Sequence, residues 1–417
     1  MKKPVLCQAP LTAVLIDTNK GVRPCCVYDN EYLGNIKEQT ISSIIKGDKW
    51  QKLKQQMYDN VWPDPCLPCK EREKVSGWSV RRLFQRGEFD ITGWEDEKLT
   101  YLEFNGSNIC NLACLHCNAG FSSKWVAELK KTIPIFNSYD KEKRERLNWM
   151  DAVIVYDDDK KGRSSKMHLP DPELILKNLK ELDLSNLRTI NFKGGEPLLN
   201  SETITILEYL ESQSILKNIT ISISSNGTYI NEKIIELFKK CNKIIMYVSV
   251  DGVDDLFNYI RYGDAKFETI EPTIAKLNEI PSISIGISTA VMNYNIFNLV
   301  DIKNWIEKMS KKYDKVNNIS GFSNCVADPK YLSLRTLTDS TRQKLVEFYS
   351  NLNADGDFEK VIQTLSSDYS GDEMHNQWIE YTELMETVRG NNILDIVPEL
   401  KDELRFRLYG RYAADYE

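Results

Sequence analysis

Three cysteines on one short loop constrain the fold of this chain more than any other feature. Cys110, Cys114 and Cys117 occur at C-x3-C-x2-C spacing, shortly after an apolar run at Leu99–Phe104 that is typical of a strand. So short a loop brings three thiolates together where they can share one metal centre. Iron–sulfur clusters normally take four thiolates, so three leave one iron open to a ligand that reacts.

Zinc is the main alternative for this loop. Structural zinc sites take four protein ligands, usually from paired C-x2-C units, which a trio of cysteines does not supply. Thiolates suit both zinc and iron–sulfur clusters, so spacing favours a cluster only weakly. Three buried thiols without a metal are a further possibility.

The chain after the cysteine-rich start alternates apolar runs with helix-period segments. We predict six strands, at Leu99–Phe104, Leu187–Phe192, Ile219–Ser224, Lys243–Val250, Ile283–Val291 and Val316–Phe322. We predict helices between them at Glu202–Ser212, Glu232–Lys240, Phe267–Glu279 and Phe297–Lys311. Such alternation indicates βαβ units around a parallel sheet. Six strands are too few to close an eight-stranded barrel, so the expected class is α/β with an open, partial (β/α)6 TIM-like barrel.

The segment before the first predicted strand carries a second set of thiols. The apolar run Ala13–Ile16 and the Asp-Thr-Asn-Lys-Gly sequence at 17–21 predict a hairpin, and a helix is expected over Thr40–Tyr58. The four-thiolate set consists of Cys7, Cys25, Cys66 and Cys69. Four thiolates fit a closed cluster for electron transfer or structure, or a structural zinc. Cys26 is the alternative to Cys25 as a ligand.

Composition limits the class of protein and its partners. A chain of 417 residues with 41% apolar and 28% charged residues is expected to be soluble, with two or three domains. The net charge of −7 argues against nucleic acid and anionic membranes, and no apolar run approaches the roughly 18 residues that span a bilayer. Met1–Ile16 lacks the features of a signal peptide, which predicts a cytoplasmic location. There the ten cysteines are expected to be ligands or reactive thiols.

Glycine-rich and polar motifs follow the second to fifth predicted strands, at the edge where parallel sheets bind ligands. Lys193–Pro197 reads Lys-Gly-Gly-Glu-Pro, whose glycines permit close approach of a backbone to a ligand and whose glutamate can accept from an ammonium group. Ser224–Thr228 suits a ribose edge, with an Asn-Gly turn as the alternative. Ser249–Gly252 follows the fourth strand, and Ser288 lies on the fifth.

In order and type, these motifs resemble those of the radical S-adenosylmethionine (SAM) superfamily. His116 stands where that family usually has an aromatic residue before the third cysteine. The resemblance implies a [4Fe-4S] cluster on Cys110, Cys114 and Cys117 that binds SAM at its open iron. An electron from ferredoxin or flavodoxin would then cleave SAM to a 5′-deoxyadenosyl radical. The implied SAM contacts are Gly194, Gly195, Glu196, Pro197, Ser225, Asn226, Ser249, Asp251, Arg261 and Ser288. For Arg261, an ordinary exposed arginine is the alternative.

The N-terminal thiols resemble the twitch or SPASM auxiliary-cluster domain of the same superfamily. Gly-Val-Arg-Pro-Cys at 21–25 and Leu-Gly-Asn-Ile-Lys at 33–37 carry the likeness. In most relatives this domain follows the barrel, whereas here it precedes it. The expected domains are therefore an auxiliary [4Fe-4S] domain at 1–95, the partial barrel at 96–325 and a helical C-terminal region at 326–417. The polar insertion at 133–167 is interpreted as a solvated loop, with a substrate lid as the alternative.

The reaction stays open between three hypotheses. In the first, a peptide or protein residue is epimerised and Cys325, after the sixth strand, donates a hydrogen atom, as a cysteine does in some radical SAM epimerases. An inert buried thiol is the alternative for Cys325, and Cys241 is interpreted as a core residue. In the second, a small molecule loses two electrons, one of them to the auxiliary cluster. In the third, the chain is a metal-binding module without catalytic activity. The C-terminal region is assigned no chemistry, and either covers the barrel or binds a substrate chain.

Overall fold

A computed structural model of the chain describes residues 5–28, 31–76, 79–85, 97–146, 157–158, 163–164, 167–317 and 321–405. The strands are β1 (Ala13–Ile16), β2 (Gly21–Arg23), β3 (Gly34–Asn35), β4 (Tyr101–Phe104), β5 (Asp157–Asp158), β6 (Arg163–Ser164), β7 (Thr189–Phe192), β8 (Thr220–Ser225), β9 (Lys243–Ser249), β10 (Ile283–Ser288) and β11 (Val316–Asn317). Nine of them form one sheet in the order β11-β10-β9-β8-β7-β4-β1-β2-β3, and β5 pairs with β6 separately.

The helices surround this sheet and continue beyond its last strand. They are α1 (Ala9–Thr12), α2 (Ile41–Lys46), α3 (Asp48–Tyr58), α4 (Leu67–Ser76), α5 (Val80–Gln85), α6 (Ser123–Ser138), α7 (Lys141–Arg146), α8 (Pro172–Lys180), α9 (Ser201–Ser212), α10 (Glu232–Phe238), α11 (Asp254–Ile260), α12 (Ile270–Asn278), α13 (Leu299–Lys312), α14 (Asp339–Leu352), α15 (Glu359–Leu365), α16 (Asp372–Arg389) and α17 (Lys401–Arg405). None of the helices in the described residues is both long enough and apolar enough to cross a membrane.

The six predicted barrel strands are confirmed as consecutive parallel neighbours, from β4 through β7, β8, β9 and β10 to β11. Residues 318–320 of the sixth predicted strand lie outside the described residues. The single helix predicted over Thr40–Tyr58 is wrong, because Gly47 adopts an extended conformation (φ −73°, ψ 157°) that ends α2 before α3 begins. The polar insertion also begins later than predicted, since α6 continues to Ser138 and buries Phe136.

Strand alternation gives the barrel sheet two different faces. Phe104 of β4 and Phe192 of β7 are buried, and their rings contact edge to face at 6.4 Å. Their neighbours Glu103 and Asn191 are partners in the parallel register, so both side chains point to the opposite side. Asn191 is in turn paired with Ser222 of β8. We call the side that carries these three residues the polar face.

The N-terminal unit joins the barrel through the sheet itself. β1 pairs in parallel with β4 over its whole length, from Ala13 opposite Tyr101 to Ile16 opposite Phe104. β2 pairs antiparallel with β1, which confirms the hairpin predicted around 17–21. The N-terminal unit is therefore docked beside the strand that leads into the cysteine loop. The limits of the three domains stay predictions.

Candidate active site

The cysteine loop, defined as Asn105–Cys117, is held at the carboxyl end of β4 by the Gly-Gly-Glu segment after β7. The Gly195 and Glu196 N–H groups donate to the carbonyls of Ser107 and Ile109, at 3.1 and 2.7 Å. A Cβ on Gly194 would lie 1.8 Å from the Asn105 carbonyl oxygen, and one on Gly195 would lie 2.2 Å from that of Ile109. The two glycines are thus needed for contact with the cysteine loop. Their predicted role, close approach to a ligand, remains a separate expectation.

A second contact comes from the segment after α11. The N–H groups of Ala113 and Leu115 donate to the carbonyls of Tyr262 and Ile260, at 2.6 and 2.9 Å. Gly263 lies so close that an added Cβ would be 2.3 Å from the Asn111 carbonyl oxygen. This antiparallel contact carries the neighbouring Arg261 toward the cysteines.

The C-terminal helix α16 braces the same loop from a distance of more than 260 residues along the chain. The Tyr381 hydroxyl donates to the Leu115 carbonyl at 2.8 Å, and the Arg389 guanidinium donates to that of Ala113 at 2.7 Å. Arg389 also lies over the rings of Trp125 and Tyr262, with centroid distances of 5.3 and 4.6 Å. Sequence analysis assigned this region no chemistry, and no local pattern marks either residue.

Glu196 joins the carboxyl ends of β7 and β8. Its buried carboxylate accepts from the Ser225 hydroxyl at 2.8 Å, the Asn226 N–H at 2.7 Å and the Leu198 N–H at 3.1 Å. Burial raises the pKa of this carboxyl group. Glu196 therefore positions Ser225 and Asn226. Its expected contact with the SAM ammonium group stays a prediction.

The three thiols of the loop lie close enough for their charges to interact, and Cys110 and Cys114 also face nitrogen donors. The Asn226 side-chain amide lies 3.9 Å from the Cys110 sulfur, and an Arg261 guanidinium nitrogen lies 3.8 Å from the Cys114 sulfur. Burial raises the pKa of the Cys117 thiol to about 12, and the nearby Cys114 adds to the shift. Thiolates that accept from N–H groups fit the ligands of an iron–sulfur cluster, whose potential such bonds help to set.

Four residues predicted from separate motifs line one pocket of about 380 Å³ beside this loop: Ser249, Arg261, Ser288 and Cys325. Buried Asp251 lies beneath it, accepting from the Ala290 N–H at 2.7 Å, with its other oxygen 2.8 Å from Arg261 Nε. His116 also lines the pocket, and burial lowers its pKa. A larger groove of about 740 Å³, lined by Phe267 and Trp305, contains none of the predicted site residues.

The four N-terminal thiols line a second, enclosed pocket: Cys7, Cys25, Cys66 and Cys69. Burial raises the pKa of Cys7 and of Cys66 to about 12, and further contributions come from neighbouring thiols of the set. Cys26 does not line this pocket, and its side chain is exposed. Although the residue as a whole is exposed, desolvation of its thiol raises the pKa to about 11; the charge of Glu103 raises it further and that of Lys193 lowers it. This arrangement supports Cys25 as the ligand, which stays a prediction.

Neither set of thiols is arranged around a single ion. Among the His, Cys, Asp and Glu side chains of the described residues, no three converge on one metal position. A tetrahedral zinc site needs ligands at about 2.0–2.3 Å from one point.

Replacing Cys25 or Cys26 by alanine shows which of the two is the cluster ligand. We expect Cys25→Ala to lower the iron content of the reconstituted protein from about eight to about four atoms per chain, because one of two four-iron clusters loses a thiolate. Cys26→Ala should leave about eight irons. Iron and sulfide analysis of both variants measures this. The reverse order of losses would make Cys26 the ligand.

Sequence analysis assigned no role to two charged residues near Cys26. Glu103 lies on β4 with its side chain 4% exposed, and Lys193 Nζ lies 3.4 Å from its carboxylate. The available signal was a lone acid within the apolar run Leu99–Phe104 and a lysine directly before the Gly-Gly pair. Lys20 was likewise interpreted only as part of a turn, although it is 2% exposed.

The chain matches two family models and is similar in part to curated proteins. The family model described as the radical SAM superfamily matches residues 104–309, and the SPASM model, described as an iron-sulfur cluster-binding domain, matches residues 7–70. The chain is 37% identical over 119 residues to an uncharacterised protein of Methanocaldococcus jannaschii, covering 28% of this chain and 41% of that protein. It is 29% identical over 188 residues to the radical SAM cyclopropyl synthase TigE of Paramaledivibacter caminithermalis, covering 43% of this chain and 32% of TigE.

Among solved structures, one that the chain matches is Streptococcus suis SuiB bound to the precursor peptide SuiA. It is 14% identical, with a TM-score of 0.33, and the match covers 81% of this chain and 67% of that one. The match spans less than half the length of each of the two curated relatives named above.

Proposed function

Because the chain belongs to the radical SAM superfamily and carries a SPASM iron–sulfur domain, we propose that it cleaves SAM reductively and removes a hydrogen atom from a residue of a peptide or protein. When bound, the [4Fe-4S] clusters and SAM supply the electron transfer and the 5′-deoxyadenosyl radical. The observation that carries the proposal is the single pocket lined by Ser249, Arg261 and Ser288 beside the three loop cysteines.

The residues around this pocket have distinct roles in the proposal. Arg261 binds the carboxylate of SAM, held in place by buried Asp251 at 2.8 Å. Asn226 and Ser225, fixed by Glu196, contact the ribose. Gly194 to Pro197 lie against the amino group, and Ser288 lines the pocket from β10. A ferredoxin or flavodoxin supplies the electron.

Anaerobic turnover of the reconstituted protein tests this function. With SAM and a low-potential reductant, 5′-deoxyadenosine should form and about eight irons per chain should be present. A protein that is loaded with iron but yields no 5′-deoxyadenosine would instead be the metal-binding module of the third hypothesis.

For the outcome of the reaction we propose epimerisation with Cys325 as hydrogen donor. Cys325 lines the same pocket as Arg261, and burial raises the pKa of its thiol, so the S–H bond is present at neutral pH. The thiol transfers a hydrogen atom to the substrate carbon radical, and the resulting thiyl radical takes one electron from the reductant and one proton from water. The alternative is two-electron oxidation, in which the auxiliary cluster accepts the second electron.

Cys325→Ala distinguishes these outcomes. In D2O the unaltered enzyme should place one deuterium at the epimerised α-carbon, and the variant should place none, because no exchangeable thiol remains beside the radical. Mass spectrometry of the substrate measures the label. Under the oxidation alternative the variant would still form a product two hydrogens lighter. Cys241→Ala, a buried thiol in the core, is the matched control.

A further inference from the structure

The polar face carries a cluster of hydrogen-bonding groups that the proposed SAM pocket does not use. Glu103 of β4 and Asn191 of β7 are adjacent in the parallel register. The Asn191 amide donates to the Tyr101 hydroxyl at 3.0 Å and to Glu103 Oε2 at 3.3 Å, and Tyr101 donates to the same oxygen at 2.9 Å. One oxygen of the carboxylate is thus fully engaged, which fixes the direction of the other.

Two acceptors in this cluster have no hydrogen bond within the described part of the chain. They are Asn191 Oδ1 and Glu103 Oε1, on residues that are 6% and 3% exposed. Lys193 Nζ lies 3.4 Å from Glu103 Oε1 and forms an ion pair with it. Buried polar atoms are normally satisfied, so acceptors left without a hydrogen bond on two adjacent strands point to a donor supplied by a bound molecule.

The cluster is reached from solvent past Cys26 and Lys193. Cys26 is exposed, and the Lys193 side chain is 39% exposed. The charges of Glu103 and Lys193 both act on the Cys26 thiol, which places the three groups near one another. A ligand that entered here would meet the Asn191 side-chain oxygen and the ion pair between Glu103 and Lys193.

We infer that Glu103, Asn191 and Lys193 form a binding site for a nitrogen that carries hydrogen, as in a peptide amide or an amino group, beside Cys26. A primary amide matches the set best, because it has two N–H bonds for the acceptors and one of them lies on the same side as its carbonyl oxygen, which can accept from Lys193. That this ligand is the substrate rests on the proposed function; that the site prefers N–H donors does not.

Alkylation of Cys26 tests the site without SAM cleavage. The reconstituted enzyme is treated anaerobically with iodoacetamide, and modification of Cys26 is followed by peptide mass spectrometry. The probes are N-acetylglycine N-methylamide and glycinamide, with acetate as the control that lacks N–H. At about twice its dissociation constant a probe should slow alkylation of Cys26 about threefold. Acetate should leave the rate unchanged, and Cys325 should react equally throughout.

Variants assign the effect to the two acceptors. Asn191→Leu and Glu103→Gln should each lose most of the protection, whereas Ser284→Ala, which lies on the same sheet at β10, should keep it. Equal protection by acetate, no protection by either nitrogen probe, or protection kept in both variants would overturn the inference. The probe comparison on the unaltered enzyme decides even if a variant fails to fold. Because the readout is alkylation, absence of 5′-deoxyadenosine would contradict the proposed function alone.

Discussion

Replacement of Cys114 by alanine should abolish formation of 5′-deoxyadenosine and lower the iron content from about eight to about four atoms per chain. Only three thiols of the cysteine loop are available as ligands, so loss of one leaves a cluster with two. Cys114 is 7% exposed, and its sulfur accepts from an Arg261 nitrogen at 3.8 Å. A ligand from solvent therefore cannot readily take its place. The auxiliary set, more than 40 residues earlier in sequence, keeps its own four thiols.

The measurement pairs iron analysis with chromatography of the SAM products under anaerobic conditions. Cys241→Ala is the control, because Cys241 is similarly buried, at 5%, and its thiol donates to the Leu237 carbonyl at 3.4 Å. It should keep about eight irons and full product formation. If Cys114→Ala kept either the iron or the product, the three-cysteine cluster would be disproved.

The fold was predictable where one local period decided it. The parallel strands between Leu99 and Val291 were found because buried runs such as Ile219–Ser224 alternate with helices of 3.6-residue period. The break at Gly47 was missed, because the hydrophobic pattern continues across α2 and α3 while the backbone does not. The sheet contribution of Ala13–Ile16 was also missed, since a hairpin signal does not reveal which further strand it will join.

The site was predictable only as far as its motifs reach. Ser249 and Ser288 were expected at the carboxyl ends of parallel strands, and Arg261 was expected to join them from the family resemblance. The three residues lie far apart in sequence and line one pocket. Residues that hold the loop from outside, such as Tyr381 and Arg389, left no signal, because their partners are main-chain carbonyls 266 and 276 residues away. Gly194 and Gly195 are a third case: they were predicted as site residues, but their contact with the cysteine loop was not predicted.

The N-terminal unit and the C-terminal helix α16 both support the cysteine loop. The hairpin turn after β1 and the end of α16 each place one buried cation on a carbonyl of the loop: Lys20 on Gly106, at 2.9 Å, and Arg389 on Ala113, at 2.7 Å. The three cysteines of the loop must be positioned to bind one cluster. Removing either support would make their positions less well defined. The N-terminal unit is therefore more than a carrier of the auxiliary thiols.

Lys20→Met should lower the free energy of unfolding by about 3–5 kcal/mol, because it leaves a buried carboxylate without its cation. Lys20 Nζ lies 2.6 Å from Glu202 Oε1, and the two side chains are 2% and 0% exposed. The shift of the urea midpoint of the metal-free protein measures the effect. Lys37→Met, at an exposed lysine of the same unit, is the matched control and should stay within about 0.5 kcal/mol.

The double variant Lys20→Met with Glu202→Gln shows whether the buried charge is the cause. Removal of both charges should restore at least half of the loss, since a neutral amide costs less to bury than an unpaired carboxylate. If Lys20→Met were no worse than Lys37→Met, the turn would be irrelevant to the barrel. If instead the double variant regained stability but not the iron of the cysteine loop, the hydrogen bond from Lys20 to Gly106, four residues before Cys110, would be the contact that matters for the cluster.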